Sequence, residues 1–231
     1  MAANDFFEAE SPENYEQKCL CVLALDVSGS MSNPMGGMKP IDELNDGLED
    51  FYFDIQEDAT TANRLEVAIV TFHSEVQTEL EPSLVENFEM PELIPKGSTK
   101  MVDGVREAIE KVEARKKWYK DTGQPYYRPW VILITDGEPD SDQDVKGLTH
   151  EIHEATKAKK FAFLAVGVEG ANMKILREIS NPDMPPQQLQ GLKFSAFFKW
   201  LSASMSTVTS SETGQQVNLP KADDWTQGFT T

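Results

Sequence analysis

Three oxygen-bearing side chains, Asp26, Ser28 and Ser30, follow an apolar run that ends at Leu25. The residues from Cys19 to Leu25 predict a buried strand, so the three side chains come directly after its carboxyl end. In an open α/β sheet, ligands bind in the crevice outside that edge. One carboxylate and two hydroxyls on a short loop supply part of the coordination shell of a small, hard cation. The spacing therefore predicts part of a cation site, with the remaining ligands elsewhere in the chain.

Two further candidate ligands follow other predicted elements. Asp136 comes directly after the apolar run from Trp130 to Thr135, which is typical of a central strand covered on both faces. Thr99 lies in a Gly-containing turn that opens a predicted helix. The free N–H donors and the positive partial charge at a helix start suit a neutral hydroxyl ligand, which leaves room for an anion. Oxygen ligands favour Mg²⁺, Mn²⁺ or Ca²⁺ over zinc or copper. The predicted site, for which Mg²⁺ fits best, consists of Asp26, Ser28, Ser30, Thr99 and Asp136.

Hydrophobic periodicity predicts strands that alternate with helices. We expect strands at 19–26, 64–72, 75–80, 130–135 and 161–168, and a short one near 187–192. We expect helices at 40–55, from about residue 100 through at least 117, and at 143–159, 171–179 and 194–208, with a Pro-rich loop beginning at Pro82. This alternation implies right-handed crossovers and an α/β, doubly wound, mostly parallel sheet. The polar strand at 75–80 is expected at an edge.

The length of 231 residues suits one domain with a good-sized core. We divide the chain into an acidic N-terminal arm at 1–17, a folded domain at 18–210 and a polar tail at 211–231 that we expect to be flexible. Cys19 and Cys21 are poorly placed to bridge each other while their strand stays extended, and we expect both to be buried and reduced. Because the start also lacks a signal-peptide pattern, we expect a cytoplasmic location.

The charge balance limits the classes of partner. With 39 acidic and 21 basic side chains, the net charge is −18. Sequence-independent nucleic-acid binding needs clustered Lys and Arg, and anionic membrane surfaces attract basic segments. No apolar run approaches the roughly 20 residues that span a bilayer. We therefore expect a protein partner, with no nucleic acid and no membrane.

Together, the five candidate ligands resemble the metal-ion-dependent adhesion site (MIDAS) of von Willebrand factor A (vWA) domains. That site combines Asp-x-Ser-x-Ser with a distant Thr and a distant Asp, all of which this sequence contains at the five positions. The likeness covers about residues 18–210. It implies a Rossmann-like vWA fold with a six-stranded, mostly parallel sheet, one antiparallel edge strand and helices on both faces.

The resemblance also implies metal-dependent protein binding without catalysis. Ser28, Ser30 and Thr99 would contact the cation directly, Asp26 and Asp136 would hold waters and hydroxyls, and a partner's Asp or Glu would complete the shell. The stretches 127–130, 171–176 and 197–202 are similar to the bacterial tellurium-resistance subgroup. That subgroup implies a cytoplasmic stress-response scaffold with kinase-like and phosphatase-like partners.

Two other functions stay open at this point. A phosphohydrolase of the haloacid-dehalogenase type would use Asp26 as its nucleophile, but those enzymes carry Asp-x-Asp and Ser28 occupies the second position here. A regulatory partner of a chelatase-like ATPase would use the same domain.

Lys100, beside Thr99, departs from the family pattern. The positive charge of its side chain would compete with the metal or help to recruit an acidic partner.

Other polar clusters predict ordinary structure. Asp140, Asp142 and Asp144 resemble an EF-hand loop, but Val145 stands where that loop requires Gly. We expect this segment to be a solvated loop that caps the following helix. The histidines at 150 and 153 lack the His-Glu-x-x-His spacing of zinc proteases, and we expect them on the surface.

Overall fold

A six-stranded sheet lies at the centre of the computed structural model, which describes residues 14–212, 215–222 and 224–226. The strands are β1 (Cys19–Asp26), β2 (Leu65–Phe72), β3 (Val76–Leu84), β4 (Trp130–Thr135), β5 (Ala162–Gly167) and β6 (Gln187–Gln188). Their spatial order is β3-β2-β1-β4-β5-β6, and every neighbouring pair is parallel except β2–β3. The chain therefore winds outward from β1 in both directions, and the two directions diverge between β1 and β4.

Helices cover both faces of this sheet. Among the described residues they are α1 (Pro40–Glu57), α2 (Ala59–Arg64), α3 (Met101–Thr122), α4 (Val145–Lys157), α5 (Met173–Ile179) and α6 (Phe194–Thr209). The apolar sides of α1 and α6 pack in one core, and those of α3, α4 and α5 pack in the other. Within the described chain, no helix is both long and apolar enough to cross a membrane.

Strand β1 is buried along its whole length because it lies between these two cores. Cys19 and Cys21 face the core of α1 and α6, whereas Leu20 and Val22 face the other core. Both cysteines are buried and free, as predicted. A strand covered on both faces is apolar at every position, which is why its sequence shows no alternation.

The predicted doubly wound fold is confirmed, and the polar third strand is the antiparallel edge. One boundary was wrong: β3 continues to Leu84 and includes Pro82, which the sequence analysis assigned to a loop. The register of β3 on β2 shifts between Val67 and Ile69, so Pro82 lies at a bulge. An edge strand with a bulge tolerates a residue that lacks an N–H.

Two short elements also differ from the sequence-based expectation. The strand near 187–192 has only two residues, Gln187 and Gln188. Helix α2 was not predicted, since its six residues are too few for a hydrophobic period. It begins because the side chain of Asp58 accepts hydrogen bonds from the N–H groups of Thr60 and Thr61.

Part of the predicted C-terminal tail packs on the domain. Trp225 is 1% exposed, and its ring lies 4.9 Å from that of Phe197 and 5.2 Å from that of Trp200 between centroids. Residues 224–226 therefore correct the expectation of a flexible tail, because burying an indole outweighs the polarity of its neighbours. Of the predicted acidic arm, 1–13 lies outside the described residues, while Glu16 pairs with Arg64.

Candidate metal centre

A backbone hydrogen bond and a buried side chain hold the loop after β1 in place. The N–H of Val27 donates to the carbonyl of Phe72 at the end of β2 (3.0 Å), which continues the parallel ladder past Asp26. A single 3₁₀ turn at Gly29–Ser32 follows, and the side chain of Met31 within it is completely buried. This anchor fixes the backbone that carries Ser28 and Ser30.

A chain of hydrogen bonds joins four of the five predicted ligands. Asp26 Oδ1 accepts from the N–H of Ser28 (2.8 Å), and the hydroxyls of Ser28 and Ser30 lie 2.9 Å apart. The Ser30 hydroxyl then donates to Asp136 Oδ1 (2.8 Å). The ends of β1 and β4 are therefore linked across the point where the sheet reverses its winding.

Thr99 faces the same crevice. A Cβ atom placed on Gly137 would lie 3.5 Å from Thr99 Oγ1 and 3.8 Å from Asp26 Oδ2. The Thr99 hydroxyl and the Asp26 carboxylate thus flank one glycine at the start of the β4–α4 loop. Without a side chain at Gly137, the space between them stays free.

The Thr99 turn requires Gly97. Its φ is +71°, and a Cβ atom there would lie 2.2 Å from the hydroxyl oxygen of Ser74. That hydroxyl accepts a hydrogen bond from the N–H of Ser98 (2.9 Å), and the carbonyl of Gly97 accepts from the N–H of Gly29 (3.1 Å). The Thr99 loop is therefore bound to both the β2 end and the β1–α1 loop.

Two residues that the sequence analysis did not select support the site. The Thr135 hydroxyl donates to Asp26 Oδ2 (2.6 Å), so both carboxylate oxygens of Asp26 accept hydrogen bonds. Asp140 accepts from the N–H of Thr99 (3.2 Å) and from the hydroxyl of Ser98 (2.7 Å). The sequence signal for Thr135 was its place before Asp136, but no local pattern links Asp140 to Thr99.

Without a bound cation, burial disfavours the charged forms of the Asp26 and Asp136 carboxylates. Burial raises the pKa of Asp26 to about 6, although hydrogen bonds from Ser28 and Thr135 act in the opposite direction. Burial likewise raises the pKa of Asp136, against the effect of the Ser30 hydroxyl. Within the described chain neither carboxylate forms an ion pair. A bound cation would stabilise both charged forms.

The donor set fits a hard divalent ion. In the described ranges, no three His, Cys, Asp or Glu side chains come together as a metal cluster, so a metal at this edge depends on hydroxyl oxygens as well. Two carboxylates and three hydroxyls are all oxygen donors, which suits Mg²⁺ or Ca²⁺.

Lys100, which follows Thr99, is the N-cap residue of α3. Its backbone N–H donates to the carbonyl of His73 (2.9 Å).

The acidic segment at 140–144 and the histidines at 150 and 153 mostly have the environments that we predicted. Asp144 caps α4 by accepting from the N–H of Gly147 (2.9 Å). His150 is exposed, whereas His153 is half-buried and its Nε2 lies 3.0 Å from the carbonyl oxygen of Ser180.

Comparison with known proteins agrees with the fold. The model of the von Willebrand factor type A domain matches residues 21–190. Among solved structures, the pilus adhesin SpaC from Lactobacillus rhamnosus GG has a TM-score of 0.68 and 16% identity over 86% of this chain and 32% of its own. No curated protein sequence matches.

Two further structures share the fold. Proximal thread matrix protein 1 from the mussel byssus, with a zinc-occupied MIDAS motif, has a TM-score of 0.53 and 19% identity over 85% of this chain and 46% of its own. The ArnB paralog VWA2 from Sulfolobus acidocaldarius has a TM-score of 0.53 and 15% identity over 82% and 45%. This chain spans about a third to a half of these three structures. Since the family model covers most of its length, the chain belongs to the von Willebrand factor type A domain family.

Proposed function

We propose that this chain binds a divalent cation, Mg²⁺ by preference, and uses it to capture an Asp or Glu side chain of a partner protein. The ion would be held by Asp26, Ser28, Ser30, Thr99 and Asp136. The observation that carries the proposal is the hydrogen-bonded chain from Asp26 through both serines to Asp136, with the Thr99 hydroxyl on the same crevice.

The chemistry of such a site follows from its low charge. Hydroxyl ligands leave a bound cation more electrophilic than carboxylate ligands do, so the ion attracts a further anionic oxygen. The buried Asp26 orients the Ser28 backbone, and Asp136 accepts from Ser30, so the hydroxyl lone pairs point in fixed directions. These residues bind and orient the ion, while the partner supplies the missing charge.

The surroundings of Asp26 support binding rather than catalysis. An aspartate nucleophile needs one accessible oxygen, but Asp26 is completely buried and both of its oxygens accept hydrogen bonds. Turnover of p-nitrophenyl phosphate with Mg²⁺ that disappears in D26A would overturn this proposal in favour of a phosphohydrolase. Copurification with an ATPase would favour the chelatase-like regulatory role instead.

The experiment that tests the cation site is a calorimetric titration of Mg²⁺ into the wild type, T99A and T207A. Thr207 is a matched control, because its hydroxyl donates to the carbonyl of Ala203 within α6 and has no other partner among the described residues. We expect T99A to weaken Mg²⁺ binding at least tenfold with little change in melting temperature, and T207A to bind like the wild type. Equal Mg²⁺ binding by T99A and the wild type would contradict the proposed site.

Partner capture needs a second experiment. A pull-down from native lysate should give a partner that is lost in EDTA and with T99A but retained with T207A. Capture that persists in EDTA would show that metal does not bridge the two proteins. Titration with zinc in parallel tests the ion preference, since the MIDAS motif of the mussel protein is occupied by zinc.

The cellular setting is a further part of the proposal. The likeness at 127–130, 171–176 and 197–202 supports a cytoplasmic scaffold of a bacterial tellurium or stress response, with kinase-like or phosphatase-like partners. The two buried free cysteines also suit a reducing compartment. Cell fractionation tests the location, and tellurite sensitivity of a deletion strain tests the response.

A further inference from the structure

A groove lies between helix α1 and the loop at 88–95, which precedes the Thr99 turn. It has a volume of about 530 Å³, and we call it the α1 groove. Its floor combines the aromatic side chains of Tyr52 and Phe53 with Met90 and Pro91. Phe53 is 52% exposed and is one of four large apolar side chains that are exposed in the described part of the chain.

Acidic side chains surround this aromatic floor. They are Asp42, Asp46 and Glu49 on α1 and Glu89 and Glu92 on the loop, and all five are exposed. In the described part of the chain none of the five forms an ion pair. Helix α1 contains no Lys or Arg at all, and neither does the segment 85–95.

The groove is fixed in shape by hydrogen bonds between its two walls. The side-chain amide of Asn45 donates to the carbonyl of Leu93 (3.0 Å), and its oxygen accepts from the N–H of Leu93 (2.9 Å). Farther along α1, the Tyr52 hydroxyl donates to the carbonyl of Phe88 (3.1 Å), and their rings lie 5.5 Å apart. Because hydrogen bonds join the two walls at two points, the groove has a preformed surface, and this lowers the entropy cost of binding.

A second groove of similar size, between α3 and α4, provides a contrast. Two of its four acids have cationic partners, since Glu151 pairs with Arg106 and Glu113 pairs with Lys116. Arg106 and Lys160 are also among its lining residues. The α1 groove differs because its lining, within the described chain, contains five acids and no basic side chain.

We propose that the α1 groove binds a basic amphipathic segment of a partner protein, with Lys or Arg side chains facing the acidic rim and apolar side chains on the aromatic floor. Cations also bind favourably over the faces of Tyr and Phe rings. A second copy of this chain is a poor occupant, because its net charge of −18 repels the same rim. Nucleic acid is excluded by the same sign of charge.

The groove is adjacent to the candidate metal centre but does not depend on it. The loop that forms its outer wall continues to Lys96, whose N–H donates to the carbonyl of Val27 (2.8 Å) beside the site. One partner can therefore contact both surfaces. The rim carboxylates differ from the five predicted metal ligands, so groove binding should persist in EDTA and in T99A.

The test uses a fluorescein-labelled 14-residue peptide of Lys and Leu, with Leu at helical spacing, titrated by fluorescence anisotropy at 0.15 M salt. One groove variant, D42N/D46N/E49Q, removes three rim charges on one face of α1. Its matched control, E43Q/D50N/E57Q, removes three charges from the same helix outside the groove. We expect the groove variant to weaken binding at least tenfold and the control to weaken it less than threefold.

The apolar part of the proposal has its own variant and peptide. F53S should weaken binding of the Lys/Leu peptide at least fivefold, but it should not change the weaker binding of a Lys/Ser peptide. Equal weakening by the groove variant and its control would overturn the proposal, because it would show attraction to overall charge only. Backbone amide shifts that map to α3 and α4 rather than to 42–53 and 88–95 would also overturn it.

Discussion

Asp140 and Thr99 are joined by two backbone-linked hydrogen bonds across the crevice. The side chain of Asp140 accepts from the N–H of Thr99 (3.2 Å), and the N–H of Asp140 donates to the carbonyl of Thr99 (3.0 Å). The β4–α4 loop therefore holds the Thr99 hydroxyl in place relative to Asp26 and Asp136. A segment that looks like a solvated acidic loop in the sequence supports the candidate site.

Replacing Asp140 should weaken metal binding without removing a ligand. We expect D140A to reduce Mg²⁺ affinity about tenfold, because residues that orient metal ligands typically contribute 10- to 100-fold. D140N, which keeps an acceptor oxygen for Thr99, should lose less. Calorimetry measures the affinities, and D142A is the control because Asp142 is exposed in the same loop. Equal losses in D140A and D142A would contradict a bracing role for Asp140.

The stability of the metal-free protein should depend on pH through Asp26. Its pKa is about 6 when folded, against 3.8 for an ordinary Asp, so the folded state holds the extra proton between these values. The free energy of unfolding should therefore fall as the pH rises from 4 to 7, by about 2 kcal/mol for this group. Urea denaturation of metal-stripped wild type and D26N measures the difference.

In that comparison, D26N supplies the baseline because its amide does not titrate. A wild-type-minus-D26N difference that stays flat from pH 4 to 7 would contradict the burial effect. Addition of Mg²⁺ at pH 7 should raise the stability of the wild type more than that of D26N, since ligand binding to the folded state adds RT ln(1 + [L]/Kd).

Thr135 should matter for the charged form of Asp26. T135V keeps the shape of the side chain but removes the donor to Asp26 Oδ2, which is buried. We expect a loss of about 1–3 kcal/mol in stability at pH 7, because a buried carboxylate then lacks one hydrogen bond. The loss should be smaller at pH 4.5, where the folded carboxyl is mainly protonated. The Thr135 hydroxyl also accepts from the N–H of Gly137 (3.3 Å), so an equal loss at both pH values would assign the effect to that bond or to packing, and not to the charge of Asp26.

Trp225 should contribute to the stability of the domain. We expect W225A to lower the free energy of unfolding by about 3–5 kcal/mol, as is typical for truncating a buried Trp. W225F should cost less, because the buried indole Nε1 has no hydrogen-bond partner among the described residues. Urea denaturation measures both, with Q215A as an exposed control. Wild-type stability of W225A would mean that the C-terminal segment adds nothing to the core.

Local sequence patterns predict most of the fold. The continuous apolar runs of β1 and β4 and the helical spacing of α1 and α6 predicted their elements to within a few residues. Patterns failed where an element was short or where its stability came from a distant contact. Pro82 looks like a loop residue until the bulge opposite the segment between Val67 and Ile69 is known, and Trp225 looks like part of a tail until its contact with Phe197 is known.

Glycines show the same division between local and distant causes. Gly47 and Gly104 lie inside helices, where local propensity alone favours Ala. A Cβ atom at Gly47 would lie 2.6 Å from the ring of Phe198, and one at Gly104 would lie 2.5 Å from that of Phe72. Only the packing of α1 on α6 and of α3 on β2 explains these residues.

Local sequence alone gives the types of the five candidate ligands and places them next to the ends of predicted strands and a predicted helix. The hand of the crossovers could also be inferred, because crossovers between parallel strands are right-handed, but the order of the strands came from the structure. The support that Thr135 gives to Asp26 and Asp140 gives to Thr99, and the unpaired charge of the α1 groove, became visible in the folded chain. A hydrogen bond or an ion pair requires a distance of about 3 Å between its two groups. Residues far apart in the chain reach such distances only when the whole sheet and its helices have packed.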